Sequence, residues 1–208
     1  MKELSRKIEF DICPILKTDL SDIVKIHSIC FPDSFSTAMQ SSLLLKFYET
    51  YFDYNSDLFF AAKHGESIIG FAMGYGFFDF SLTKKFIKNN LLRFTLRCFV
   101  QLIKFDKRAW KKVFAKRHNK KTFVNEKYLN IENEKNGDLL SIAVLPDFQK
   151  NGAGGALEET FIKALAAKKY RYCSLCTEID NAKARKLYES KGFQIRYIDS
   201  GVHYIKEI

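Results

Sequence analysis

Apolar residues along this chain change their spacing several times, and each change predicts an element. Ile8, Phe10, Ile12 and Ile15 form an apolar-rich opening that reads as a first strand, interrupted at Pro14. From Leu20 the spacing turns helical: Leu20, Ile23, Val24, Ile26, His27 and Cys30 share one side, Thr18 or Asp19 can cap the start, and Phe31-Pro32 stops it. Ser36 or Thr37 can cap a second helix carrying Leu43, Leu44, Phe47, Tyr48 and Tyr51. Residues 58–62 and 67–75 flank a Gly65-Glu66 turn and predict a hairpin.

A polar and basic stretch from about 79 to 137 interrupts this pattern. Leu91, Leu92, Phe94, Leu96, Phe99, Val100, Leu102, Ile103 and Phe105 recur among its basic residues, which predicts amphipathic helices; residues 132–137 read as a turn cluster. Beyond it lies a βαβ-like unit. Residues 139–145 suit a buried strand ended by Pro146-Asp147. Residues 156–169 suit a helix with Leu157, Phe161, Ile162 and Leu165 on one stripe. Residues 172–179 suit a strand, and 181–190 a short helix stopped at Lys191-Gly192. Runs at 194–198 and 202–205 read as antiparallel strands about Ser200-Gly201.

Composition changes this picture in two places. With 47% hydrophobic content, 208 residues can bury a sizeable core, so residues 1–208 read as one domain with the 79–137 segment inserted in it. No run approaches the roughly 18 apolar residues of a membrane span, and Glu3, Glu9 and Asp11 occupy the region where a signal peptide needs an apolar core. The expected location is the cytoplasm. Cys173 and Cys176 form a C-x-x-C with neither a second pair nor a nearby histidine; three residues apart on a strand they point to opposite faces, so plain buried thiols are favoured over redox or metal chemistry, and no metal is expected.

Charge is concentrated. Residues 84–121 hold fourteen Lys or Arg against Asp106 alone, a net +13, while the rest of the chain sums to −3. The insert can be a solvated helical face, a site for an anionic substrate such as a sugar diphosphate, or a basic amphipathic helix on the anionic inner face of a membrane with Trp110 and several Phe at the interface. No nucleic-acid motif accompanies the charge, so no nucleic-acid partner is expected.

Candidate chemistry begins at Gln149-Lys150-Asn151-Gly152-Ala153-Gly154-Gly155-Ala156, where a strand gives way to a Gly- and Ala-rich loop as a helix begins. Unpaired backbone N–H groups and the positive end of the helix dipole then converge on one point, an anion site, and small side chains let a phosphate approach the backbone. Taken alone, the cluster also suits turns and close helix packing.

This segment resembles the signature of the GNAT N-acetyltransferase superfamily: a strand, then Gln or Arg, two residues, Gly, one residue, Gly or Ala, and a helix. Gln149, Gly152 and Gly154 fit it in order and spacing. A second resemblance, Asn181 through Tyr188 to Gly192-Phe193, looks like the family's asparagine helix with its Tyr-x-x-x-Gly-Phe ending. Together they cover about residues 138 to 195. The resemblance implies an α/β GNAT acyl-CoA N-acyltransferase fold: a mixed central sheet of about six to seven strands flanked by helices, with the basic helical insertion between strands three and four. It also implies acetyl-CoA as cosubstrate, held by Gln149, Lys150, Asn151, Gly152, Ala153, Gly154, Gly155, Ala156, Asn181 and Arg185. The fourth strand would splay from the fifth so that Ile142, Ala143 and Val144 pair with the pantetheine arm, and Tyr188 would protonate the departing thiolate.

Plainer readings stand beside these: Tyr188 as a core aromatic and Asn181 as a helix N-cap. Where family members place a carboxylate on the fifth strand this chain has Cys176, so the base is open among Glu178, Asp138, His27, Asp33 and a water relay, with Glu178 placed first because its strand abuts the cleft. The acceptor is expected against Phe31, Asp33, Ser34 and Phe35, the hairpin and the insert. The Phe-Pro-x-Ser-Phe-Ser-Thr run is similar to acetyltransferases of bacterial surface-polysaccharide and amino-sugar pathways, which implies an amino sugar, free or nucleotide- or lipid-linked, in direct transfer within a ternary complex. A protein N-terminus, a small amine, a ping-pong route through Cys176, and a non-catalytic acyl-CoA-binding or membrane-surface module are the alternatives. A monomer or a homodimer fits equally.

Overall fold

The computed structural model describes residues 8–34, 37, 41–76, 86–91, 95, 122–128 and 136–208. Their strands are β1 (Asp11–Pro14), β2 (Phe59–His64), β3 (Ser67–Tyr75), β4 (Thr122–Phe123), β5 (Asn136–Val144), β6 (Tyr172–Thr177), β7 (Gln194–Ile198) and β8 (Val202–Glu207). Their longer helices are α1 (Leu20–Cys30), α2 (Ser41–Asn55), α3 (Ala153–Ala167) and α4 (Ala182–Ser190). The strands form one sheet in the order β1-β2-β3-β5-β6-β8-β7-β4. Every pairing is antiparallel except β5 with β6. The expectation of six to seven strands falls one short because Thr122–Phe123, at the end of the basic insert, adds a two-residue edge strand to β7.

The alternation of side chains along β2, β3 and β5 divides the core between the two sheet faces. On one face α3 lays Leu157, Phe161 and Leu165 against Phe60, Ala62, Ala72 and Leu139. On the other, Ile23, Tyr48 and Tyr51 of α1 and α2 cover Phe59, Ala61, Phe71 and Met73. In β5 the register to β3 shifts between Met73, opposite Ser141, and Gly74, opposite Leu139; Leu140 is the extra residue of a bulge. The bulge puts Asp138 and Ala143 on the α1/α2 face, while Leu139, Ile142 and Val144 pack toward α3.

Three of the boundaries that differ from the periodicity bear on the site. β5 begins at Asn136, inside the expected turn cluster, because Asn136, Gly137 and Asp138 pair with Tyr172, Cys173 and Ser174. α3 begins at Ala153, since Gly152 in the left-handed region (φ 91°) turns the chain directly into the helix. β6 ends at Thr177, which leaves Glu178 outside the strand. Cys173 and Cys176 point to opposite faces as expected, but only Cys173 is the buried thiol anticipated; Cys176 is exposed, because its face of the sheet opens on the second cavity. The helical reading of the insert lies largely outside the described residues. Among the described residues no helix is long and apolar enough to cross a membrane, and no cluster of His, Cys, Asp and Glu is arranged to hold a metal ion.

Candidate active site

β5 and β6 run together for only three positions, ending at Asp138 opposite Ser174, and then diverge. Residues 142–144 remain paired to Ala72, Phe71 and Gly70 of β3 but have no strand on their other edge among the described residues. A cavity of about 420 Å³ opens there, walled by Ile142, Ala143 and Val144 on one side and by Asn181, Ala184 and Tyr188 of α4 on the other. A second cavity, of about 410 Å³, borders the same divergence and takes in Asp138, Ser174, Cys176, Arg196 and His203.

The first cavity ends at the start of α3. Ala156 N–H is bonded to the Gly152 carbonyl at 3.0 Å as the helix opens, so the amides of Ala153, Gly154 and Gly155 precede the helical ladder. The N-cap supplies no side-chain partner and the first turn carries no acid. This positive helix end is available to an anion. A Cβ added at Gly154 would meet only Val144 Cγ2, at 3.8 Å, so fold packing does not demand that glycine; the space above it belongs to the cavity. Lys150 (φ 65°), Gly152 and Gly155 line the same end. Gln149 shapes the loop by donating from Nε2 to the Val144 carbonyl at 3.0 Å. An extended strand edge leading to a bare helix N-terminus fits a pantetheine arm leading to a pyrophosphate.

Some expected coenzyme residues have other work. Asn151 donates its side-chain amide back to the Phe148 and Gln149 carbonyls (3.4 and 3.2 Å), Ala153 is buried beneath the helix, and Ala156 is not among the cavity-lining residues. Arg185 turns away: Nε donates to the Tyr204 hydroxyl at 3.3 Å and Nη1 to the Ile179 carbonyl at 3.2 Å, so it braces α4 against β8. Asn181 both caps α4, accepting from Ala184 N–H at 3.1 Å, and lines the cavity.

Tyr188 lies one helical turn from Ala184, packed against Phe193 and Tyr204, with its ring nearly buried and on the cavity wall. Its hydroxyl bonds to no described residue. Burial, aided by the charge of Glu158, pushes the phenol up to about 12. It therefore stays protonated at every physiological pH and can donate a hydrogen bond.

In the second cavity the titratable group of note is Asp138. Desolvation pushes its carboxyl up to about 7, against the opposing effect of a hydrogen bond from Tyr75. A carboxyl poised there accepts a proton near neutral pH. The other expected bases are placed less well. Glu178 is exposed beyond the end of β6 and lines neither cavity, because the strand stops one residue before it. His27 is buried against Tyr48, whose hydroxyl lies 2.7 Å from Nδ1; desolvation lowers its pKa to about 4. Asp33 is exposed.

The loop after α1 lines neither cavity in its described part. Ser34 Oγ lies 3.4 Å from His27 Nε2 and 2.9 Å from Thr37 Oγ1, and Phe31 packs on the His27 ring. Phe35 lies outside the described residues. Cys176 Sγ is 3.6 Å from His203 Nε2, but that nitrogen also faces Asp199 at 2.9 Å, and desolvation in the cavity wall pushes the thiol up to about 12. A protonated thiol is a poor nucleophile, which disfavours an acyl-cysteine route.

A sheet opened between one parallel strand pair, with a helix N-terminus at one end of the gap, defines an acyl-CoA-dependent N-acyltransferase. The chain belongs to the acetyltransferase (GNAT) family, whose model matches residues 20–193, and acetyl-CoA is its cosubstrate. Similar solved structures include PH1933 from Pyrococcus horikoshii (18% identity, TM-score 0.61, covering 96% of this chain and 99% of that one). The PaiA N-acetyltransferase of Thermoplasma acidophilum in complex with coenzyme A has 14% identity and a TM-score of 0.58, covering 96% and 99%. The ribosomal-protein-S18-alanine N-acetyltransferase of Escherichia coli has 17% identity and a TM-score of 0.54, covering 96% and 94%. A search of curated protein sequences gives no match.

Proposed function

We propose that this enzyme moves acetyl from acetyl-CoA to the primary amine of a small, sugar-sized molecule, by direct transfer across the gap between β5 and β6. The observation that carries the reading is the pair of proton-handling groups there, Asp138 in one cavity and Tyr188 in the other, each with its pKa displaced by burial. The coenzyme supplies an activated acetyl thioester. Asp138 takes a proton from the acceptor ammonium, and the freed nitrogen bonds the acetyl carbon as the carbon–sulfur bond breaks. Tyr188 donates a hydrogen bond to the sulfur as negative charge builds on it. As the amide forms, the nitrogen gives up a second proton, which passes through solvent to the departing thiolate to yield free coenzyme A, and the proton on Asp138 returns to solvent.

A cavity of about 410 Å³ lies in the size range of small-molecule sites. Tyr75 and Tyr197 give its lining aromatic surface, and Asn136 and Ser174 offer polar groups. These features support an amino sugar as acceptor. The likeness to a ribosomal-protein alanine acetyltransferase makes a peptide N-terminus the competing acceptor. The deciding experiment is release of coenzyme A thiol over a panel of amino sugars, nucleotide-linked amino sugars, peptides and polyamines. Turnover of an amino sugar that collapses in Asp138→Asn while coenzyme affinity persists supports the proposal. Silence across the panel makes the chain an acyl-CoA-binding module, and turnover of peptides alone moves the acceptor to proteins.

A further inference from the structure

Arg196 is the cation of the acceptor cavity for which the fold provides no counter-charge. It stands in β7 at a register shift, between Ile195 opposite Tyr204 and Tyr197 opposite His203, so it has no partner residue in β8. Its Nε donates to the Tyr128 carbonyl at 3.0 Å, and its guanidinium carbon lies 5.8 Å from the Tyr197 ring centre. None of the described carboxylates pairs with it. The nearest in sequence, Asp199, is held by His203 at 2.9 Å, and Glu207 is paired with Lys127 and Arg171. Its Nε is tied to a backbone carbonyl, its terminal nitrogens have no partner among the described residues, and the residue lines the cavity. That is the arrangement in which arginine recognises a carboxylate or phosphate by paired hydrogen bonds.

A second group in the cavity lacks a partner. Asn136 donates from Nδ2 to Ser174 Oγ at 2.6 Å, but its Oδ1 is buried and accepts no hydrogen bond. A buried acceptor left unmade is costly unless a bound donor satisfies it. Asp138 is two residues along the same strand. From β5 across β6 and β8 to β7 are three strand steps, about 14 Å between backbones at roughly 4.8 Å each. Asp138 and Arg196 both line the one cavity that spans this separation.

We infer that the acceptor is a primary amine bearing an anionic substituent, phosphate or carboxylate, with its amine at Asp138, a hydroxyl or N–H donor at Asn136 Oδ1 and its anion on Arg196. This rests on the acetyl-transfer reading above and adds the specificity residue to it.

The test measures thiol release with glucosamine, glucosamine 6-phosphate and muramic acid, a neutral amino sugar with a phosphate- and a carboxylate-bearing relative. The wild-type enzyme is expected to show kcat/KM about ten- to a hundredfold higher for one of the anionic sugars than for glucosamine, the range of a charge-assisted contact; which one it is separates phosphate from carboxylate. Arg196→Gln should bring that ratio close to one, chiefly by raising KM for the anionic sugar, and Arg196→Lys should restore part of it. Retained coenzyme affinity by calorimetry checks that both variants are folded. Equal use of all three sugars, or equal losses on all three in Arg196→Gln, overturns the inference and leaves acetyl transfer intact. Absence of thiol release with every amine overturns both.

Discussion

Asp138 carries opposing demands. In its proposed role as base it must ionise, yet burial resists ionisation and holds its carboxyl up at about 7. The rate with a good acceptor should therefore climb as pH rises through about 7, and Asp138→Asn should lower kcat by about 10²- to 10⁴-fold and abolish that limb of the profile. The stability effect has the opposite sign. A carboxyl whose folded pKa lies above its unfolded value stabilises the fold fully below about 4 and loses that contribution as pH rises through 7. Asp138→Asn should thus be more stable than wild type at pH 8, by on the order of 4 kcal/mol, and melt higher in thermal denaturation. His27 runs the other way. Its pKa is depressed to about 4, so its contribution is present above about 6.5 and is lost as pH falls toward 4. Between pH 7 and 4, His27→Gln should lose roughly 3 kcal/mol less stability than wild type. Tyr188→Phe, which keeps the ring packed on Phe193 and Tyr204, should lower kcat by about ten- to a hundredfold and leave coenzyme affinity unchanged by calorimetry.

At the scale of elements, the loop into α3 and the edge of β5 define the donor side. Gly154→Glu places bulk and negative charge where the cavity meets the helix N-terminus, and coenzyme binding should vanish in titration calorimetry while the fold persists, because Val144 Cγ2 alone approaches a Cβ there. Helical and strand periodicity made most elements readable: α1 begins and ends where Leu20 and Cys30 foretold, and α4 follows its cap at Asn181. What periodicity hides is how distant segments meet. A strand read through to residue 179 carries Glu178 to the cleft, whereas β6 stops at Thr177. Arg185 sits one turn from Asn181, but a long side chain can leave the helix face it starts from, and this one reaches Tyr204. Asp138 could not be preferred from sequence because its displaced pKa comes from burial, which outweighs the opposing hydrogen bond from Tyr75 on a strand over sixty residues earlier. The Phe31 loop is fastened to His27 and Tyr48 in the core, a role that its resemblance to other acceptor loops does not disclose.

At the scale of the whole molecule, ligand and fold are linked by mass action. Coenzyme at a hundred times its dissociation constant should add about 2.7 kcal/mol to stability and raise the melting temperature of wild type and Tyr188→Phe alike, with no shift for Gly154→Glu. The two cavities take their defining groups from different parts of the chain. The proposed donor side draws on β5, the α3 turn and α4, whereas Arg196, Tyr197 and His203 of the proposed acceptor side come from the last hairpin, β7 and β8.

The three-residue seam between β5 and β6 therefore has a consequence for descent. Substitutions in the terminal hairpin can rewrite which amine is welcomed while the machinery that grips the coenzyme stays as it was. A lineage built on this sheet can change its customers without changing its supplier.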